Sequence, residues 1–214
     1  MEKEMPIVHI VEDDETLRDY FADVLGKAGL AWRGFESAES FLGIYEPRQP
    51  GCLLLDVRLP GMGGAELQQR LNLLGAPLPV IFLTGHGDVR MAVEAMRHGA
   101  FDFIEKTVTA AALVAQVRKA LEYDAQQRVA VRSQDEMLLR FETLTGRERD
   151  VLMLLISGRS NKAIASELRL SLRTVELHRA RVMQKTGSRS LAQLIRMAVD
   201  VNFAHHPRTG ARSD

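Results

Sequence analysis

Cysteine is nearly absent from this chain. The single cysteine, Cys52, excludes a disulfide within one chain and a metal site built on cysteines. It lies in an apolar run and is expected to be a buried core thiol. Long hydrophobic stretches are lacking too: none reaches the roughly 18 uninterrupted apolar residues that a membrane span requires. The opening Met1-Glu2-Lys3-Glu4-Met5-Pro6 has no apolar segment of a secretory signal. A cytoplasmic protein without a membrane partner is therefore expected. Net charge is missing as well, since 28 Lys and Arg balance 28 Asp and Glu. That balance is not local. Residues 1–124 hold 12 basic and 19 acidic side chains, and residues 125–214 hold 16 and 9. An acidic part and a basic part point to two domains with different partners, the basic one suited to a polyanion.

What is present organises accordingly. The first part alternates strand and helix signals. Ile7-Val8-His9-Ile10-Val11 is a short β-type run, and Cys52-Leu53-Leu54-Leu55 and Val80-Ile81-Phe82-Leu83 are continuous apolar runs of the kind buried on both faces of a parallel sheet. Phe101-Asp102-Phe103-Ile104 and Leu30 to Phe35 supply two further strands. Helical stripes separate them: Leu17, Phe21, Val24 and Leu25 before Gly29; a helix started by Ser37; Ala65 to Leu74; Val89, Ala92, Val93 and Met96 before Gly99; and Leu113, Val117 and Leu121. Five βα units predict an α/β domain with helices on both sheet faces, over residues 1–123. Residues 124–142 are polar, free of Pro and Gly, and predict a helical linker. From 143 to 204 only helical patterns follow. Thr145-Gly146-Arg147-Glu148 is a capping box, and Ser160 and Ser171 cap two more helices. Residues 205–214 are expected to be a disordered tail.

In open parallel sheets the site lies beyond the carboxyl ends of the strands. Here Glu12 and Asp13 follow the first strand, Asp56 the third, Thr84 the fourth and Lys106 the fifth. These are the residue types for phosphoryl transfer to a carboxylate. Asp56 is the nucleophile that becomes an acyl phosphate. Clustered carboxylates repel unless a cation intervenes, and Mg²⁺ suits an all-oxygen site. Asp13, Asp56 and the backbone carbonyl of Arg58 are candidate ligands, with Glu12 acting through water. Lys106 neutralises phosphoryl oxygens and Thr84 donates a hydrogen bond to one of them. Asp14 reads as a helix cap.

Val11-Glu12-Asp13-Asp14, Leu55-Asp56-Val57-Arg58-Leu59-Pro60-Gly61-Met62, Leu83-Thr84-Gly85-His86-Gly87-Asp88 and Phe103-Ile104-Glu105-Lys106 resemble the motifs of response-regulator receiver domains, from Pro6 to Leu121. The resemblance implies a flavodoxin-like fold of strand order 2-1-3-4-5. It also implies phosphorylation of Asp56 by a histidine kinase, and a switch pair at Thr84 and Phe103. Phe103 as a plain core aromatic is the rival reading. Receivers usually carry Pro after the Lys. Thr107 stands here, so a trans Lys106–Thr107 bond and a differently shaped loop are expected. Glu12 replaces a common Asp.

In the second part, Asn161 to Leu168, a turn, and Ser171 to Val175 have the layout of a helix-turn-helix. Arg169, Arg173, Arg179, Arg181, Lys185 and Arg189 surround its second helix, an electrostatic footprint for phosphates. Leu144-Thr145-Gly146-Arg147-Glu148-Arg149-Asp150-Val151-Leu152, Ser160-Asn161-Lys162-Ala163-Ile164-Ala165, Thr174-Val175-Glu176-Leu177-His178 and Lys185-Thr186-Gly187 are similar to the four-helix domain of the LuxR/NarL regulators. His86-Gly87-Asp88 adds a likeness to the FixJ subgroup. By that resemblance Glu176, Leu177 and Ala180 face base edges in a major groove. Arg173, Thr174, His178, Arg181 and Lys185 meet phosphates, and Val175 and Val182 belong to the core. Internal packing is the alternative for His178. The implied partners are a histidine kinase, double-stranded DNA, a second copy of the chain when phosphorylated, and RNA polymerase. The implied chemistry is confined to the chain's own phosphotransfer and dephosphorylation. Two alternatives stand beside this: a hydrolase using the acidic cluster, for which no His base is evident, and a constitutive DNA-binding protein that keeps a receiver for dimerisation.

Overall fold

The computed structural model describes residues 5–75, 78–85 and 89–203. The chain forms two compact units that divide between Val129 and Ala130.

The first unit is built on five parallel strands: β1 (Ile7–Val11), β2 (Ala31–Phe35), β3 (Gly51–Asp56), β4 (Val80–Thr84) and β5 (Asp102–Glu105), in the order β2-β1-β3-β4-β5. The continuous apolar runs Cys52–Leu55 and Val80–Leu83 lie in β3 and β4, which are buried along their whole length. Alternation along each strand feeds two cores. Val8, Ile10, Leu54, Ile81 and Leu83 pack with Phe21, Leu25, Leu113 and Val117 on one face. Val11, Leu53, Leu55, Val80 and Phe82 pack with Phe41, Leu67, Leu71 and Ala95 on the other. The helices are α1 (Glu15–Lys27), α2 (Ala38–Leu42), α3 (Gly64–Leu73), α4 (Val89–Arg97) and α5 (Ala110–Glu142). Asp14 caps α1, accepting from the Leu17 amide at 3.1 Å. Cys52 is fully buried, and burial pushes its thiol pKa well up, so it is an inert core residue.

The stripe expected on α4 does not lie wholly against the sheet. Val93 and Met96 are exposed, while Ala95 supplies the buried contact. Phe103 is likewise 46% exposed, which removes its reading as a core aromatic. No cis peptide bond occurs among the described residues, and Lys106–Thr107 is trans as expected.

Residues 124–142 continue α5. The buried Asp124 carboxylate accepts from the Gly51 amide at 3.0 Å and from Arg128 Nε at 2.8 Å. The Arg128 guanidinium also donates to the carbonyls of Arg48 and Gln49, each at 2.8 Å. This helical turn is therefore fastened to the loop before β3.

The second unit contains α6 (Gly146–Ile156), α7 (Asn161–Leu168), α8 (Leu172–Thr186) and α9 (Leu191–Asp200). The Thr145 capping box is formed in both directions. Ser160 and Ser171 cap α7 and α8. Val182 packs with Phe141, Leu152 and Leu194, and Val175 packs with Val151, Leu155 and Ile164. Both valines are core residues, as expected. The tail 205–214 and the His86-Gly87-Asp88 motif lie outside the described residues.

Candidate phosphoacceptor site and nucleic-acid interface

Sheet register gathers the first constellation. Val11, Leu55, Phe82 and Phe103 stand side by side across β1, β3, β4 and β5. The residues that follow them emerge together at the carboxyl end of the sheet. Lys106 Nζ lies 2.9 Å from Asp56 Oδ2 and 2.8 Å from Glu12 Oε1. One ligand oxygen from each of Glu12, Asp13 and Asp56 falls within 4.8 Å of the others. Asp56 and Glu12 are buried and Asp13 is exposed.

Burial pushes the Glu12 carboxyl above its ordinary range; the bond from Lys106 opposes this and the charge of Asp56 adds to it. Glu12 Oε2 is buried without a hydrogen-bond partner among the described residues. Burial also disfavours the Lys106 ammonium, but its bonds to Glu12 and Asp56 outweigh that and hold its pKa above the ordinary value. Thr84 is buried at the end of β4, and its hydroxyl donates to the Ile104 carbonyl at 3.3 Å. Arg58 donates its amide to Asp56 Oδ1 at 3.2 Å.

Sequence reasoning missed two supports. Arg18, on α1, donates to the Glu12 carbonyl at 2.8 Å and so fixes the acidic turn after β1. Gly64 opens α3 against the Asp56 carbonyl, which a Cβ would approach to 2.3 Å. A glycine at that position was visible in the sequence; the contact that demands it was not.

In the second unit, Glu176, Leu177 and Ala180 are exposed on α8, flanked by exposed Arg173 and Arg181. Thr174 is half-buried, with Oγ1 2.8 Å from Ser171 Oγ. His178 is half-buried and its Nδ1 is shielded without a partner among the described residues. Arg179 is drawn inward to Asn161 Oδ1 at 2.6 Å, tying α8 to α7. Lys185 donates to Glu148 Oε2 at 2.6 Å and to the Thr143 carbonyl at 3.0 Å. Two of its three protons are thus used inside the unit.

Comparison with known proteins accords with both geometries. Residues 8–118 match the response regulator receiver domain family, and residues 142–198 match the bacterial regulatory proteins of the luxR family. The chain belongs to the LuxR-family response regulators. It is 45% identical to the transcriptional regulatory protein FixJ of Azorhizobium caulinodans, over 90% of this chain and 91% of that one. It is 42% identical to FixJ of Rhizobium meliloti, over 92% and 96%. Among solved structures, response regulator StyR matches at TM-score 0.80 and 41% identity, covering 91% of this chain and 98% of that one. Full-length FixJ from B. japonicum matches at TM-score 0.58 and 36% identity, covering 94% and 99%. This response regulator is therefore a FixJ-like transcription regulator with a receiver and a LuxR-type DNA-binding domain. No described helix is long and apolar enough to cross a membrane.

Proposed function

We propose that Asp56 accepts a phosphoryl group from a histidine kinase in the cytoplasm, and that this event controls receiver dimerisation and sequence-specific DNA binding. The observation that carries the reading is the Lys106 ammonium seated 2.9 Å from Asp56, within a cluster of three carboxylates. In the transfer, an Asp56 oxygen forms a bond to phosphorus as the kinase's phosphohistidine P–N bond breaks, and the imidazole keeps the electron pair. Lys106 offsets charge on the arriving group, and the Thr84 hydroxyl turns from Ile104 toward it. The residues fit a divalent cation: Glu12 Oε2 has no partner among the described residues, and three crowded carboxylates share the one Lys106 ammonium, which leaves negative charge for a cation to balance. Asp13, Asp56 and the Arg58 carbonyl would hold Mg²⁺, with Glu12 reaching it through water. Bound there, the ion neutralises developing charge on the phosphoryl oxygens. Apart from this self-phosphorylation and its reversal by water, no enzymatic activity is proposed.

The readout begins with Thr84 and Phe103. Met91, Val93, Met96 and Phe103 are each at least 40% exposed, an apolar group suited to a second receiver. A dimer presents two α8 helices to two half-sites. Glu176 accepts from cytosine N4, Leu177 meets a thymine methyl, and Ala180 allows close approach. Arg173, Arg181 and Thr174 bind phosphates. Inward packing suits His178 better than a phosphate contact, and Lys185 serves as an anchor of α8. RNA polymerase is the partner through which bound dimers act.

Acetyl phosphate with Mg²⁺ is expected to add one phosphoryl mass to the full chain and to raise its affinity for operator DNA. Asp56→Asn is expected to lose both responses. Operator affinity that ignores phosphorylation would defeat the switch. Failure of labelling with Mg²⁺ present would defeat the phosphoacceptor reading itself.

A further inference from the structure

The segment from Val57 to Gly63 joins β3 to α3 and carries the Arg58 carbonyl. Its first residue is tied to the sheet, and the segment closes back on that residue. Val57 donates to the Leu83 carbonyl at 3.2 Å, and Gly64 donates to the Val57 carbonyl at 3.4 Å. Its far turn is tied elsewhere. The Met62 amide donates to Glu39 Oε1, on the first turn of α2, at 2.9 Å. Gly61, at φ +72°, lies directly under that carboxylate, and a Cβ there would fall 2.9 Å from the same Oε1. Glu39 is itself well placed. The Ser37–Ser40 capping box fixes the start of α2, and Ala38 and Phe41 bury its other face. The amides of Glu39 and Met62 hold this exposed carboxyl below its ordinary pKa range.

We propose that Glu39 is a positioning residue for the phosphoacceptor loop: its carboxylate on the Met62 amide sets the conformation in which the Arg58 carbonyl serves as a cation ligand. The proposal rests on the phosphoacceptor reading. Its physical basis is that groups behind a metal ligand fix the ligand's direction, and losing them typically weakens binding 10- to 100-fold. Glu39 acts through backbone rather than through a ligand side chain, so the lower end of that range applies. The bare Gly61 belongs to the same device. A side chain there adds backbone strain and also pushes the carboxylate away from Met62.

The test uses the full-length protein, with thermal melts to show that each variant is folded. Mg²⁺ affinity is read by calorimetric titration, and exchange of the Met62 amide is read without metal. Glu39→Ala is expected to weaken Mg²⁺ binding on the order of 10-fold and to speed Met62 exchange. Glu39→Gln keeps an acceptor oxygen and is expected to recover most of both. Gly61→Ala is expected to weaken binding alone, yet to cost less when Glu39 is already Ala, because the collision is then gone. Unchanged Mg²⁺ affinity in Glu39→Ala, or losses that simply multiply in the double variant, would overturn the proposal while leaving a labelled wild type intact. A wild type that takes neither Mg²⁺ nor a phosphoryl group would remove the phosphoacceptor reading, and this one with it.

Discussion

The two units each bury one glutamate against one lysine, and they do so to opposite ends. In the helical unit, Glu148 accepts from Lys185 at 2.6 Å and from the Thr145 amide at 2.9 Å. Burial pushes its carboxyl up, but the bonds from Lys185 and Thr145 win and hold it below its ordinary value. In the receiver, Glu12 accepts from Lys106 at 2.8 Å, while its second oxygen has no partner among the described residues and Asp56 stands beside it. Its carboxyl is pushed up and stays there. The same two residue types make a finished joint in one place and an unfinished one in the other. On the proposed function, an incomplete set of partners, with the same lysine shared between two acids, is what opens the receiver site to a cation and a phosphoryl group.

The largest test of this contrast removes the shared lysine. Lys106→Ala is expected to slow labelling of Asp56 by acetyl phosphate by on the order of 10²–10³-fold. A rate within a few-fold of wild type would mean that the ammonium balances Glu12 and nothing more. Acidification gives the next largest effect. His9 is buried between Phe35, Phe41 and Tyr45, and burial, with Arg33 adding to it, lowers its pKa to about 4. The unfolded chain takes up a proton near pH 6.5 that the folded receiver refuses until about pH 4. Receiver stability is therefore expected to fall by up to about 3 kcal/mol between those limits and to level below them. Glu148 has the depressed carboxylate pattern: its contribution is present above its ordinary value of 4.5 and is lost as pH falls through the lower folded value. The receiver should thus yield first. Trp32, the only tryptophan, reports on it alone. His9→Phe is expected to flatten the Trp32 profile, and a variant as steep as wild type would discard His9 as the cause.

A third test breaks the finished joint. Glu148→Ala removes the side-chain half of the capping box and the Lys185 partner, and is expected to cost the helical unit about 2 kcal/mol. Far-UV circular dichroism would show that loss, while labelling of Asp56 stays unchanged. Loss of labelling instead would mean that the two glutamates are not independent.

What the sequence showed and what it hid divide along the same physical line. Strand runs and the Thr145 box were legible because each rests on local period or short spacing, and the carboxyl-end acids and Lys106 because each follows such a run where an open parallel sheet places its site. Glu39 on Met62, Asp124 on Gly51 and Lys185 on Glu148 were hidden, because those partners lie 23, 73 and 37 residues apart. Lys185 looked like one more basic residue beside a recognition helix; only the fold shows where its protons go. The α4 stripe was misleading for a different reason. An apolar pattern marks a surface to be covered, and periodicity does not say whether the cover is this chain or another copy.

The smallest effect sharpens the contrast most directly. If the receiver's joint is incomplete for want of positive charge, Mg²⁺ should stabilise that unit and leave the other unmoved. At ten times its dissociation constant, a ligand that binds only the folded state adds about 1.4 kcal/mol. The melt followed by Trp32 should therefore rise with Mg²⁺, and the rise should vanish in Asp13→Asn, which removes one of the clustered carboxylates. The helical transition should ignore the ion, because Glu148 Oε2 already takes two donors and neither Glu148 oxygen is buried without a partner among the described residues. A rise of equal size in both units would be a general salt effect, and would show that the orphaned oxygen of Glu12 reflects burial alone.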